Sequence, residues 1–248
     1  MINIVIPMAG LGSRFASAGY EKPKPFIDVL GIPMIQRVMM NLELEDSRFI
    51  LIARKEHLAK EKEIVNKIQE IYNNVIFIGI DKLTEGTACT LLFAKKYIDN
   101  TSPLLIANSD QIVDIEIADF VNQCLNKNHD GSILTFDDPD RNPKWSFAKK
   151  NDIGLVEEVR EKVPISDEAT VGIYFFSKGS DFVDAAIQMF IENDRVNNEF
   201  YTCPTYNYLI SQGKKIDTYK IKQEYMHGIG IPEDLIAYIN TIRNKNFE

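Results

Sequence analysis

A buried strand running into a glycine loop opens this chain, and it limits what the rest can be. Ile2-Asn3-Ile4-Val5-Ile6 is a short apolar run broken at Pro7. Met8-Ala9-Gly10-Leu11-Gly12-Ser13-Arg14-Phe15 follows, then Glu21-Lys22-Pro23-Lys24-Pro25-Phe26. Glycines let backbone N–H groups approach an anion closely, and one arginine with two lysines offsets its charge. Such a loop suits a polyphosphate. In α/β sheets, sites of this kind lie beyond the carboxyl ends of parallel strands.

The spacing rules out two common phosphate motifs. No glycine stands at position 15, so the dinucleotide pattern G-x-G-x-x-G fails, and no lysine follows Gly12, so the Gly-Lys-Ser/Thr loop fails too. With a net charge of −8, nonspecific binding to nucleic acid or to an anionic membrane is disfavoured. An anionic substrate must then be met by a local basic cluster. No apolar stretch approaches the ~20 residues of a membrane span, and no secretory signal is visible. Cys89, Cys124 and Cys203 lack metal spacing and read as reduced, buried thiols of a cytoplasmic protein.

Strand and helix patterns alternate along the chain. Phe49–Ala53, Val75–Ile80, Pro103–Ala107 and Gly131–Phe136 read as strands. Pro33–Leu42, His57–Tyr72, Thr87–Tyr97 and Ile115–Leu125 read as the helices between them. This order predicts an α/β fold with a doubly wound, mostly parallel sheet. After Asp137 the pattern shifts to a strand pair over Trp145–Lys150 and Gly154–Glu161, a strand at Gly172–Phe176, helices at Phe182–Asn193 and Cys203–Gln212, a strand at Lys215–Tyr219 and a last helix from Pro232. A single domain over 1–248 is expected. It comprises a nucleotide-binding core (1–136), a small substrate-side α+β lobe (137–220), and a closing segment with the C-terminal helix (221–248).

Other stretches carry candidate chemistry. The apolar run Leu104–Ala107 ends in Asn108-Ser109-Asp110, which aims a carboxylate at the crevice of the first loop. A hard oxygen ligand there suits Mg²⁺, which takes one or two carboxylates plus substrate phosphates. Thr84-Glu85-Gly86-Thr87-Ala88 precedes a helix and also reads as a plain cap. Val156–Lys162 reads as an exposed strand edge of mixed charge. Gly172 would allow close substrate approach. Glu199-Phe200-Tyr201 could equally be core, and Met226–Asp234 a turn before the last helix.

Taken together, the Ala-Gly-x-Gly-Ser-Arg-Phe loop and Lys-Pro-Lys-Pro resemble the sugar-phosphate nucleotidylyltransferases. The resemblance runs from Met1 to about Leu235 and implies a Rossmann-like nucleotidyltransferase fold. It implies transfer of a nucleoside monophosphate to a phosphorylated small molecule, with pyrophosphate released. Arg14 and Lys24 would be catalytic. Met8, Ala9, Gly10, Gly12, Ser13, Arg14, Glu85, Gly86, Thr87 and Ala88 would hold the nucleotide. Lys24, Glu161, Lys162, Gly172 and Glu199 would hold the acceptor, and Asp110 would hold Mg²⁺. Gly228 stands where many members carry a second metal aspartate, so His227, Asp234 or water is the candidate replacement. The opening and the Gly-Ile-Gly-x-Pro-Glu-Asp ending resemble capsule and surface-polysaccharide members; the overall resemblance, and no single residue, implies CTP as donor and L-glutamine phosphate as acceptor. A hexose 1-phosphate is the alternative acceptor. A catalytically silent nucleotide sensor is the reading from another class, suggested by Gly228 and opposed by Arg14, Lys24 and Asp110 together. The residues leave open whether copies associate as a homo-oligomer.

Overall fold

The computed structural model describes residues 1–245. The chain opens with β1 (Ile2–Pro7) and α1 (Ser13–Ser17), then a small hairpin of β2 (Asp28–Val29) and β3 (Ile32–Pro33). Next come α2 (Met34–Leu42), β4 (Ser47–Arg54), α3 (Lys55–Lys60), α4 (Lys62–Ile71), β5 (Val75–Ile80), α5 (Thr87–Leu91), α6 (Lys95–Ile98), β6 (Leu104–Ala107), β7 (Gln111–Val113) and α7 (Ile117–Asn126). The second half runs β8 (Gly131–Asp137), β9 (Ser146–Lys150), β10 (Val156–Glu161), β11 (Glu168–Phe176), α8 (Gly179–Ile191), α9 (Thr205–Ser211), β12 (Ile216–Ile221), β13 (Met226–Gly228) and α10 (Pro232–Lys245).

Period-two alternation builds the core. Ile4 and Ile6 face one apolar cluster with Phe49 and Leu51. Val5 faces the opposite cluster with Ile50 and Ile52. Strands apolar on both faces must be covered on both, and here helices cover them. Buried Met34, Ile35, Val38, Met39 and Leu42 mark one stripe of α2, and Ile117, Phe120, Val121 and Cys124 mark that of α7. Both stripes join the first cluster. Ala185, Ala186 and Leu209, from α8 and α9, pack into the second.

Strands β6, β1, β4 and β5 pair in parallel, in that order. β11 enters antiparallel beside β6, so the nine-stranded sheet is mixed. The strands expected in the substrate-side lobe extend this same sheet. One edge of β11 carries β8, and β8 pairs in parallel with β12. The other edge forks. Its carboxyl half, Ile173–Phe176, pairs with β6, whereas Ala169 pairs with Phe147 of β9, and β10 lies outside β9. Thr170–Gly172 stand in the fork, beside the carboxyl end of β6.

Two helices differ from expectation. The one read over Thr87–Tyr97 resolves into α5 and α6, joined by a 3₁₀ turn at Leu92–Ala94. The pattern over His57–Tyr72 resolves into α3 and α4, broken at Glu61 (φ −107°). The break docks that corner on the first loop: Lys60 donates to the Glu21 carbonyl at 2.6 Å, and Glu61 lies 4.0 Å from Lys22.

Candidate active site

The sheet fork and the carboxyl ends of β1 and β6 enclose a cleft of about 740 Å³. One end is mostly backbone. Gly12 caps α1 in the left-handed region (φ 61°), and a Cβ there would lie 3.0 Å from the Lys24 Cβ. The close approach sets Lys24 against the loop. Met8, Ala9, Gly10, Gly12, Ser13 and Arg14 all line the cleft. Arg14 is exposed and makes no ion pair among the described residues.

Lys24 Nζ is ion-paired with Asp110 Oδ2 in the middle of the cleft. The basic loop and the strand-end carboxylate, 86 residues apart in sequence, thus meet in one cleft. The closing segment arrives beside them. β13 pairs with β7, and the Ile229 N–H donates to the Asp110 carbonyl at 2.8 Å. A Cβ on Gly230 would sit 2.7 Å from Asp110 Oδ2, so the missing side chain leaves that carboxylate its space.

Asp110 lines the cleft, whereas His227 and Asp234 are not among its lining residues. The His227 Nε2 bonds Asp114 Oδ2 at 2.9 Å, and its ring packs on Tyr238. A Cβ at Gly228 would face Asp234 at 3.5 Å. β13 sets His227 opposite Ile112, and the His227 ring reaches Asp114 just past the end of β7. No cluster of three His, Cys, Asp or Glu side chains suited to a metal occurs among the described residues. Asp110, one quarter exposed beside open space, still fits Mg²⁺, which completes its shell with phosphates and water.

The Gly86 turn is only partly as expected. Leu83, Thr84, Gly86, Thr87 and Thr90 line the cleft. Gly86 has φ +129°, and a Cβ would lie 2.3 Å from the Phe200 carbonyl oxygen. Two backbone bonds lock the segments together: Phe200 N–H to Glu85 O at 2.7 Å, and Ala88 N–H to Phe200 O at 3.0 Å. Two expected nucleotide contacts are corrected here. Ala88 is fully buried against Met189 and Phe200, and Glu85 turns outward to pair with Arg195 at 2.6 Å. The packing of α5 on Met189 and Phe200 takes Ala88 inward, and the ion pair with Arg195 takes Glu85 out of the cleft.

The other end of the cleft is built from side chains. Lys144, Trp145, Ser146, Glu161, Lys162, Tyr174, Glu199, Tyr201 and Cys203 line it. Glu161 is not on a solvated face: it is 7% exposed and accepts a hydrogen bond from the Ser146 hydroxyl. Burial raises its carboxyl above the ordinary glutamate value, against the Ser146 bond and the charge of Lys162. Burial likewise pushes the Cys203 thiol far up, so it is no nucleophile at neutral pH. Gly172 (φ +93°) sits in the fork, and a Cβ there would fall 2.2 Å from Asn108 Nδ2 and 2.7 Å from Gln111 Oε1. Tyr201, Trp145 and Gln111 had no assigned role in the sequence. Only the fork brings them to the cleft.

Fold and cleft define a nucleotidyltransferase-like α/β protein. The Nucleotidyl transferase family profile matches residues 4–245, and the chain belongs to that family. It is 25% identical over 238 residues to the UTP–glucose-1-phosphate uridylyltransferase AglF of Haloferax volcanii, covering 94% of this chain and 93% of AglF. It is 27% identical over 178 residues to the bifunctional protein GlmU of Methanococcus aeolicus, covering 71% of this chain and 40% of GlmU. The chain therefore spans less than half of that relative. Among solved structures, a nucleoside-diphosphate-sugar pyrophosphorylase from Vibrio cholerae superposes with a TM-score of 0.80 at 25% identity, covering 96% of this chain and 99% of that one. A UDP-glucose pyrophosphorylase complexed with UDP-glucose shares the fold, with a TM-score of 0.76 at 17% identity over 99% of this chain and all of that one. No helix among the described residues is long and apolar enough to cross a membrane.

Proposed function

We propose that the chain transfers a nucleoside monophosphate from a nucleoside triphosphate to the phosphate of a small molecule, releasing pyrophosphate. The observation that carries this reading is the Lys24–Asp110 pair at the centre of the cleft, between the glycine loop and the sheet fork. A phosphate oxygen of the acceptor attacks the α-phosphorus. The new P–O bond forms as the bond to the β-phosphate oxygen breaks, and pyrophosphate leaves. The acceptor phosphate is already an anion, so no general base is required. Positioning and charge stabilisation then supply the catalysis. Arg14 and the N–H groups of Gly10 to Ser13 hold the β- and γ-phosphates. Lys24 bridges the acceptor phosphate and the α-phosphate. Asp110 would hold Mg²⁺, which offsets charge at the α-phosphate when bound. Lys162 holds the acceptor phosphate from the far side, and Glu161 and Glu199 bind polar groups of the acceptor.

Within this reading CTP is the donor and L-glutamine phosphate the acceptor, giving CDP-L-glutamine for capsular polysaccharide modification. Both signs of charge at the acceptor end support it: Glu161 and Glu199 suit an ammonium group, Lys144 and Lys162 a carboxylate and a phosphate. A hexose 1-phosphate acceptor is the second reading, favoured by relatives that activate glucose 1-phosphate. The test is Mg²⁺-dependent pyrophosphate release with CTP, UTP, dTTP, ATP and GTP against L-glutamine phosphate and hexose 1-phosphates. Release with CTP and L-glutamine phosphate alone is the expected result. Release with a hexose 1-phosphate replaces the acceptor, and nucleotide binding without any release favours a sensor.

A further inference from the structure

Lys162 does not lie free in the cleft. It follows β10 directly and adopts φ +58°, a conformation uncommon for lysine. Its N–H donates to the Trp145 carbonyl at 3.0 Å, which fixes where the side chain starts. Its Nζ donates to the Tyr201 hydroxyl at 2.5 Å and stands 4.4 Å from the centre of that ring. An unrestrained lysine side chain carries large rotamer entropy, and a bound phosphate would have to offset it. Here one aromatic residue removes most of that freedom beforehand.

Tyr201 is itself well anchored. The adjacent Phe200 is clamped to the Gly86 turn by two backbone hydrogen bonds, and the next residue, Thr202, donates from its hydroxyl to that of Thr87 at 3.1 Å. Burial pulls the Lys162 ammonium toward deprotonation. The Tyr201 hydroxyl, with Glu161 and Glu199, outweighs that pull and raises its pKa above the ordinary lysine value. Burial raises the Tyr201 hydroxyl above the ordinary tyrosine value.

We propose that Tyr201 is a positioning residue for Lys162: its hydroxyl and ring hold the ammonium group where the acceptor phosphate is read. This rests on the functional reading above, in which Lys162 faces the acceptor. Tyr201 acts through the lysine and need not touch the substrate.

Tyr201→Phe keeps the ring and removes the hydroxyl. With whichever of L-glutamine phosphate or glucose 1-phosphate sustains pyrophosphate release, the acceptor KM should rise roughly tenfold, the usual effect of losing one hydrogen bond to a charged group. The nucleotide KM should not move. In a Lys162→Met background, Tyr201→Phe should add nothing. An unchanged acceptor KM, or an equal rise in the Lys162→Met background, overturns the proposal. A second readout needs no turnover. Lysines carrying ¹³C-methyl groups are titrated by NMR, with Lys162 assigned through Lys162→Arg. Its midpoint should fall in Tyr201→Phe, and an identical midpoint also overturns the proposal. If wild-type protein releases no pyrophosphate with any acceptor, the functional reading fails while this titration still decides the tether.

Discussion

The two ends of the cleft are made by different means. The loop end is local: Met8 to Arg14 are consecutive, most of the surface they offer is backbone, and Arg14 stands without an ion-pair partner among the described residues. The fork end is assembled from segments near residues 108, 145, 161, 172 and 200, and two of its charged groups are held by neutral hydroxyls: Glu161 by Ser146, Lys162 by Tyr201. A backbone loop with one unpaired arginine is ready for any polyphosphate. A site of mutually satisfied side chains is shaped, and its polar groups are costly to leave unpaired. The first design suits what all nucleoside triphosphates share, and the second suits discrimination among acceptors.

Four substitutions test that contrast. Lys24→Met strikes where the ends meet, and kcat/KM for pyrophosphate release should fall about a hundredfold or more, as for loss of one preorganised donor. A smaller fall in a folded variant would remove Lys24 from the chemistry. Gly172→Ala strikes the fork. It combines a positive φ with a Cβ 2.2 Å from Asn108, so unfolding stability in urea should drop by about 3 kcal/mol and acceptor affinity should suffer more than nucleotide affinity. Equal losses for both substrates would mean the ends are not separate.

His227→Ala should cost about 1 kcal/mol of stability, the worth of its bond to Asp114. It should leave turnover and Mg²⁺ dependence unchanged, since His227 is engaged with Asp114 and does not line the cleft. A changed Mg²⁺ dependence would put the imidazole back among the ligands.

Glu161→Gln gives the finest effect. The folded protein holds the Glu161 proton to higher pH than the unfolded chain does. Between those two pKa values the native state binds more protons, so stability declines as pH rises through that window. The melting temperature of Glu161→Gln relative to wild type should therefore be higher at pH 7 than at pH 4. A pH-independent difference would mean that the carboxyl titrates normally.

Much of the loop end was legible because its parts are neighbours in sequence. Gly10, Gly12, Ser13 and Arg14 needed only a strand before them and a helix after them. Asp110 was legible for a similar reason, as the polar stop of an apolar strand. The Gly86 turn misled in part. Ala88 and Glu85 flank residues that do line the cleft, but α5 packs one of them inward, while Arg195 holds the other outside. Mixed charge at Val156–Lys162 suggested a wet edge, yet Ser146 on the neighbouring β9 and the fork beside it bury Glu161.

The sequence alone determined the alternation of strands and helices, the phosphate-type loop, and the carboxylate at the end of β6. Each depends on hydrophobic period and on residues within a few positions of one another. Tertiary structure alone decided that β11 would split its edge between β6 and β9, that His227 would turn to Asp114, and that Tyr201 would reach Lys162. These follow from strand register and from packing between segments tens of residues apart, and no local pattern encodes which partner a given edge or side chain will meet.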